Sequence, residues 1–124
     1  MPIKILVVED NLDSRDLLHF LLTSQEHEVK TAVDGAEGLY MAKAERPDLI
    51  ITDLGMPNVD GSQMIKEIRL TPELTDIPIV VYTGFFAQTM ETAIKNAVNR
   101  TFIKPTDMES LLEFVQEINL LKHD

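Results

Sequence analysis

Short apolar segments alternate with helix-like patterns along the chain, and this alternation restricts the fold more than any other feature. The apolar segments are rich in β-branched residues, which is typical of strands buried on both faces. They span Ile3–Val8, Val29–Val33, Leu49–Thr52, Ile79–Tyr82 and Thr101–Ile103. Between them, apolar residues recur at helical spacing. The βαβαβαβαβα order predicts a doubly wound α/β fold, with a five-stranded parallel sheet, helices on both faces, and one domain over residues 1–124.

Polar residues and prolines mark where the predicted helices begin and end. The pairs with capping-box spacing are Asp34 with Glu37, Asp60 with Gln63, and Thr106 with Glu109. We expect Pro47 to end the second helix, and Asn96 or Asn99 to take a left-handed turn after the fourth. These boundaries agree with the alternation of strands and helices.

The charge of the chain excludes several classes of partner. With 21 acidic and 11 basic residues, the formal net charge is -10. The basic residues are scattered singly, so we expect no direct binding of nucleic acid or of a membrane surface. The absence of cysteine excludes disulfides and thiolate metal sites, and the lack of a long apolar span predicts a soluble, cytoplasmic protein. His19, His27 and His123 are isolated among surface-like residues, and we expect ordinary exposed side chains there.

Chemically active side chains follow four of the five predicted strands: Glu9 and Asp10, then Asp53, Thr83 and Lys104. In doubly wound folds, ligands bind at the edge where the carboxyl ends of the strands lie. Carboxylates that lie close together repel one another unless a cation intervenes, and Mg2+ prefers oxygen ligands. We therefore predict a magnesium site in which Asp53 and Asp10 are direct ligands and Glu9 binds through a water.

Each of these residues also has an ordinary structural explanation. Glu9 and Asp10 can belong to a turn that caps the next helix, and Asp53 precedes a Gly/Pro loop, where aspartate is a common turn former. A lysine at a strand end is usually solvated. Only their convergence at one edge favours a functional site. Gly55 and Pro105 support it, because a glycine carbonyl can approach a metal closely and a cis bond before proline would direct the lysine across the edge.

Four segments together resemble a known family. They are ILVVEDN at the first strand, DLIITDLGMPNVDG around the third, IPIVVYTG at the fourth and FIKP at the fifth. Their order and spacing are similar to those of response-regulator receiver domains, which belong to two-component signalling, include chemotaxis regulators and have the flavodoxin-like (βα)5 fold. The resemblance implies that Asp53 is the phosphoacceptor. It also implies that Glu9, Asp10, Asp53 and the backbone carbonyl of Gly55 hold Mg2+.

The same resemblance implies a signalling switch and not a classical enzyme. A histidine kinase or a phosphotransfer protein would donate the phosphoryl group of a phosphohistidine to Asp53. Thr83, as the switch hydroxyl, and Lys104, as the phosphate-binding residue, would then approach the phosphoryl oxygens. These movements would change the surface of residues 87–121, where we expect a downstream protein or effector domain to bind.

The chain departs from the family pattern at several positions. Thr101 stands where family members usually carry an aromatic residue, and Phe102 alternates to the opposite face of the strand. The short spacing between the fourth and fifth strand motifs predicts a truncated or displaced fourth helix. Gly55 and Phe85 replace polar side chains that often orient the hydrolytic water, so we expect slow self-dephosphorylation.

Two other functions are compatible with this fold or this chemistry. The TGFFAQT segment faintly resembles the phosphate loop of FMN-binding flavodoxins, although it follows the fourth strand and not the first. A magnesium-dependent phosphatase with an aspartate nucleophile would also use Asp53. Such enzymes generally need a second aspartate where Gly55 stands. Both alternatives stay open at this point.

Overall fold

The computed structural model describes residues 3–54, 61–84 and 90–122. Strands and helices alternate strictly along these residues. The strands are β1 (Lys4–Val8), β2 (Glu28–Ala32), β3 (Leu49–Thr52), β4 (Ile79–Thr83) and β5 (Arg100–Ile103). The helices are α1 (Leu12–Ser24), α2 (Gly35–Glu45), α3 (Gly61–Leu70), α4 (Thr92–Ala97) and α5 (Met108–Lys122). The predicted strands are confirmed, and their ends differ from the prediction by at most one residue.

All five strands are parallel, and their order in the sheet is β2-β1-β3-β4-β5. The predicted doubly wound α/β fold is therefore confirmed. Because β1 lies between β2 and β3, the direction of winding reverses there. A reversal of this kind opens a crevice outside the carboxyl ends of the two central strands.

Helices cover both faces of the sheet, and alternate residues of each strand face opposite layers. In β1, Ile5 and Val7 pack with α1 and α5, whereas Leu6 and Val8 pack with α2, α3 and α4. These side chains are buried, and the central strands β1, β3 and β4 are accordingly continuous apolar runs and not alternating ones. The two apolar layers hold the strand ends in fixed relative positions.

The helix starts follow the predicted capping chemistry only in part. At α2, the Asp34 carboxylate accepts a hydrogen bond from the backbone N–H of Glu37 (2.8 Å), as predicted. The cap predicted at Asp60 lies outside the described residues. The prediction of Thr106 as a cap is wrong by one residue, because α5 begins at Met108 and its first backbone hydrogen bond goes to the carbonyl of Asp107.

The helix ends show one confirmed prediction and one correction. α2 ends before Pro47, and Arg46 takes a left-handed conformation there (φ 47°). At the end of α4, neither Asn96 nor Asn99 has a positive φ, so that prediction is wrong. The chain instead leaves α4 in extended backbone, because the side chain of Asn99 accepts a hydrogen bond from the first N–H of β4 (2.9 Å).

The fourth helix is short, as the spacing between the strand motifs predicted: α4 has 6 residues. Arg69 of α3 ties it to the rest of the fold. Its guanidinium donates hydrogen bonds to the carbonyls of Thr75, Ile77 and Ala97, each at 2.8 Å. One side chain therefore joins the end of α3, the segment before β4 and the end of α4.

His27 contradicts the expectation that the histidines are exposed. It is 5% exposed, and its Nδ1 accepts a hydrogen bond from the backbone N–H of Ile3 (3.3 Å). The reason is its place directly before β2, where it packs beside the start of β1 despite its polar sequence neighbours. His19 is exposed as predicted, and His123 lies outside the described residues.

Candidate functional site

The predicted site residues meet at the carboxyl edge of the sheet. Glu9 follows β1, Asp53 follows β3, Thr83 ends β4 and Lys104 follows β5. Hydrogen bonds of the sheet continue into this edge: the N–H of Asp53 donates to the carbonyl of Val8 (3.1 Å), and the N–H of Lys104 donates to that of Thr83 (2.9 Å). The backbone of the edge is therefore as fixed as the strands themselves.

Lys104 joins two of the carboxylates. Its Nζ lies 2.6 Å from Oε2 of Glu9 and 2.9 Å from Oδ2 of Asp53. The side chain of Glu9 is 3% exposed, and those of Asp53 and Lys104 are 14% and 17% exposed. Because these charges are largely removed from water, their attraction is much stronger than that of a surface ion pair. The bond between Lys104 and Pro105 is cis, which the proline at position 105 made possible.

The acidic turn after β1 is held by its own backbone and by α1. The N–H of Asn11 donates to Oε1 of Glu9 (3.1 Å), and the side chain of Asn11 caps α1 at Ser14 (2.9 Å). Arg15 reaches back from α1 and donates to the carbonyl of Glu9 (3.0 Å). The turn therefore does cap the helix, as its ordinary explanation requires, and it also places two carboxylates at the edge.

Asp53 is positioned through both its side chain and its carbonyl. Its Oδ1 accepts the N–H of Leu54 (2.7 Å), which leaves Oδ2 for Lys104. Its carbonyl accepts the hydroxyl of the buried Thr52 (2.8 Å). Gly61 lies against the same carbonyl, so closely that a Cβ at position 61 would overlap the oxygen. These contacts leave little room for movement of the backbone that carries the Asp53 carboxylate.

The charges of the site are coupled. Burial raises the pKa of Glu9 above its ordinary value of 4.5, although the hydrogen bond from Lys104 opposes this shift. Burial alone would lower the pKa of Lys104, but the hydrogen bonds to Glu9 and Asp53 outweigh it, and the net shift raises the pKa above 10.5. Lys104 therefore stays a cation and offsets part of the repulsion between the two carboxylates.

The acidic residues fit a divalent cation. Glu9, Asp10 and Asp53 each offer one carboxylate oxygen, and these oxygens lie within 4.8 Å of one another. Oxygen ligands from one or two carboxylates, completed by waters, are the usual protein contribution to a Mg2+ site. The carbonyl of Gly55, the remaining predicted ligand, lies outside the described residues.

Comparison with known proteins assigns the family. A sequence model of the response regulator receiver domain matches residues 5–116. The chain belongs to this family. The assignment favours a receiver domain of two-component signalling over the flavodoxin-like and phosphatase alternatives.

Solved structures and a curated relative agree with this assignment. The receiver domain is similar to chemotaxis response regulator CheY4 of Vibrio cholerae, with a TM-score of 0.85, 29% identity, and coverage of 95% of this chain and 99% of that chain. It is also similar to the receiver domain of sensor histidine kinase PA1611 of Pseudomonas aeruginosa, with a TM-score of 0.86, 27% identity, and coverage of 96% and 99%. That structure has a magnesium ion coordinated in its active site cleft.

The receiver domain is also 36% identical over 112 residues to transcriptional regulatory protein KdpE of Staphylococcus aureus. This match covers 90% of the chain but 47% of KdpE, so the chain spans less than half the length of that relative.

Across the three described ranges, the receiver domain has no helix with the length and apolar character needed to cross a membrane.

The outcome differs among the remaining site residues of the receiver domain. Thr83 is buried beside the site, at 6% exposure. Phe102 packs in the layer of α1 and α5, on the face opposite to the half-buried Thr101, as its alternation predicted. Two contributing residues were not predicted from the sequence: Arg15 and Tyr82, whose ring lies beneath the Lys104 ammonium. Strand alternation was the available signal for Tyr82, since it pairs with Phe102, two residues before the lysine.

Proposed function

We propose that the domain accepts a phosphoryl group on the carboxylate of Asp53. The observation that carries this proposal is the placement of the Lys104 Nζ 2.9 Å from Oδ2 of Asp53, within the cluster that Glu9 and Asp10 complete. A carboxylate is a competent nucleophile toward phosphorus only when the charge of the incoming oxygens is neutralised. Lys104 supplies one positive charge at the required position.

We also propose that Glu9, Asp10, Asp53 and the carbonyl of Gly55 hold Mg2+. When bound, the ion would supply further positive charge for the oxygens of the phosphoryl group. Glu9 has one oxygen on the N–H of Asn11 and the other on Lys104. It would therefore share an oxygen between Lys104 and the ion, or bind the ion through a water, as predicted from the sequence.

The phosphoryl donor in this proposal is the phosphohistidine of a histidine kinase or a phosphotransfer protein. The new bond from Asp53 to phosphorus forms as the phosphorus–nitrogen bond of the donor breaks. Relatives that carry receiver sequences include hybrid histidine kinase D of Dictyostelium discoideum and KdpE, which is consistent with kinase partners. The domain acts in this scheme as a cytoplasmic signalling switch that catalyses only its own modification.

The phosphorylated site would change the surface of residues 87–121. A phosphoryl group adds charge and strong hydrogen-bond acceptors at the sheet edge, within reach of Thr83 and Lys104. Thr83 ends β4, which precedes that surface in the chain, and Lys104 follows β5, which lies within it. A downstream protein or effector domain would then bind one state better than the other. With Thr101 in place of an aromatic residue, the response depends on Thr83 and Lys104.

Intact-mass measurement after treatment with acetyl phosphate and Mg2+ tests the phosphoacceptor. We expect the wild-type domain to gain one phosphoryl group and Asp53→Asn to gain none. Asp76→Asn is the matched control, because it removes an exposed carboxylate between α3 and β4, away from the site. Labelling of Asp53→Asn to the wild-type extent would refute the assignment.

A further inference from the structure

The ring of Tyr82 lies beneath the ammonium group of Lys104. Nζ of Lys104 is 5.6 Å from the centroid of the ring, which is within the range of a cation–π contact. Tyr82 is 4% exposed, so water does not compete for the face of the ring. Cation–π contacts are strongest at such desolvated positions.

Strand geometry fixes the ring in this place. Tyr82 of β4 pairs with Phe102 of β5, and both belong to the apolar layer formed with α1 and α5. Lys104 follows Phe102 by two residues and therefore returns to the same face of the sheet. The ring is held by the core, and the lysine is the flexible partner. Burial raises the pKa of Tyr82, so the ring faces Lys104 as a neutral phenol.

The ring differs from the other partners of Lys104 in one respect. Glu9 and Asp53 belong to the carboxylate cluster, so they would divide their charge between Lys104, a bound cation and, at Asp53, a phosphoryl group. Tyr82 carries no carboxylate, so in this scheme neither the cation nor the phosphoryl group competes with Lys104 for its ring. If the carboxylates engage a cation or a phosphoryl group, the ring would remain as a partner for the ammonium at the edge of the sheet.

We propose that Tyr82 is a positioning residue that holds the Lys104 ammonium over the carboxyl edge through a cation–π contact. The proposal deepens the proposed function and rests on it, because the lysine is assigned there to the phosphoryl group. Tyr82 itself touches neither the phosphoryl donor nor the carboxylates in this scheme. Its effect on phosphorylation passes through Lys104.

Nuclear magnetic resonance tests the placement without any phosphorylation. The ring current of Tyr82 should shift the Cε protons of Lys104 upfield in the wild-type domain and in Tyr82→Phe, which keeps the ring. In Tyr82→Leu the shift should disappear. Equal Cε proton shifts in all three proteins would overturn the proposal.

A double-mutant cycle separates positioning from a general loss of packing. We expect Tyr82→Leu to slow acetyl phosphate labelling about threefold to tenfold in the wild-type background and to have little effect in a Lys104→Ala background. Tyr82→Phe should label within about twofold of wild type, because its ring offers a similar face. A purely structural role predicts the same slowing in both backgrounds, and that result would refute the proposal.

A shape-conserving substitution covers the case in which Tyr82→Leu does not fold. Pentafluorophenylalanine at position 82 fills nearly the space of phenylalanine but reverses the charge distribution of the ring. It should slow labelling relative to Tyr82→Phe, and equal rates would contradict the cation–π contact. If the wild-type domain is not labelled at all, the proposed function fails, and the ring-current comparison still decides where Tyr82 places the lysine.

Discussion

Lys104 is the residue on which the charges of the site depend. It donates hydrogen bonds to both Glu9 and Asp53, at 2.6 Å and 2.9 Å, and offsets part of their combined negative charge. A cation that enters the cluster therefore competes with the lysine for both carboxylates. Asp10 is exposed and lies beside them, so it is the carboxylate that a metal can engage with the least rearrangement.

This arrangement predicts that Asp10→Asn weakens Mg2+ binding by about tenfold or more, because a charged oxygen ligand becomes a neutral one. Amide shifts of residues 9–11 during a Mg2+ titration measure the dissociation constant. Asp13→Asn makes the same change of charge on an exposed aspartate in the first turn of α1 and should leave the constant nearly unchanged. Equal weakening by both variants would mean that only net charge matters.

Gly61 and Gly84 provide a matched pair near the site. A Cβ at Gly61 would overlap the carbonyl oxygen of Asp53, whereas a Cβ at Gly84 would have no atom of the described residues within 4 Å. We expect Gly61→Ala to lower the free energy of unfolding by about 1–3 kcal/mol and Gly84→Ala to change it by less than about 1 kcal/mol. Urea unfolding measures both. A cost at Gly84 as large as that at Gly61 would contradict the packing described around Asp53.

The site residues were predictable from the sequence to different degrees. Glu9, Asp53 and Lys104 were found because each stands directly after an apolar strand, where position in sequence determines position at the edge. Tyr82 and Arg15 were missed. Strand alternation places Tyr82 on the face of the sheet to which Lys104 returns, but it does not show that the two side chains meet. The contact of Arg15 with the turn after β1 likewise joins two elements, and a helical pattern alone does not contain that information.

At the scale of elements, Arg69 connects three segments of the fold. From the end of α3, it donates to two carbonyls in the segment before β4 and to one at the end of α4. α4 is too short to be stable by its own backbone hydrogen bonds, since helices of this length are marginal in water. Its stability therefore depends on tertiary contacts such as Ile94 in the core and Arg69 at its end.

We expect Arg69→Met to lower the free energy of unfolding by about 2–4 kcal/mol, because three partly buried carbonyls lose a charged donor. Hydrogen exchange of the amides in residues 92–97 should accelerate most. Lys66→Met is the control on the same helix, because Lys66 forms an exposed ion pair with Glu91 (3.7 Å), whose loss should cost less than about 1 kcal/mol. Similar exchange rates in the two variants would contradict the role of Arg69.

Elements were predicted well where local periodicity is strong and poorly where a side chain makes a distant contact. The strands follow from β-branched runs and the short α4 from its spacing. The end of α4 was not predictable, because Asn99 is used to bind the start of β4 and not to form a left-handed turn. The contact joins residues 20 positions apart in the chain, which lies beyond any local pattern.

At the scale of the whole molecule, the fold buries a histidine directly before β2. His27 is buried, its Nδ1 accepts the N–H of Ile3, and its Nε2 has no hydrogen-bond partner within the described residues. Burial lowers the pKa of His27 below its ordinary value of 6.5. Protonation would also remove the acceptor that Ile3 uses, so the folded domain favours the neutral imidazole.

The stability of the domain should therefore fall as the pH is lowered from the ordinary pKa of His27 toward its lowered pKa in the folded state. In this window the unfolded chain binds a proton that the folded chain does not, and the slope is at most about 1.4 kcal/mol per pH unit. Urea unfolding at several pH values between about 7.5 and 5 measures this slope. The range extends about one pH unit or more to each side of the ordinary histidine pKa.

His27→Asn keeps an acceptor near Ile3 but cannot titrate in this window, so the slope should be smaller than in the wild-type domain. His19→Asn, at an exposed position, should retain the wild-type slope. An unchanged slope in His27→Asn would show that other groups produce the pH dependence.

The carboxylate of Asp53 is the proposed acceptor of the phosphoryl group, and chemical mapping tests this role most directly. After labelling with acetyl phosphate and Mg2+, borohydride reduces an aspartyl phosphate to homoserine, and peptide mass spectrometry locates the changed residue. We predict homoserine at position 53 and at no other aspartate. Homoserine at another position, with Asp53 unchanged in a labelled protein, would contradict the account.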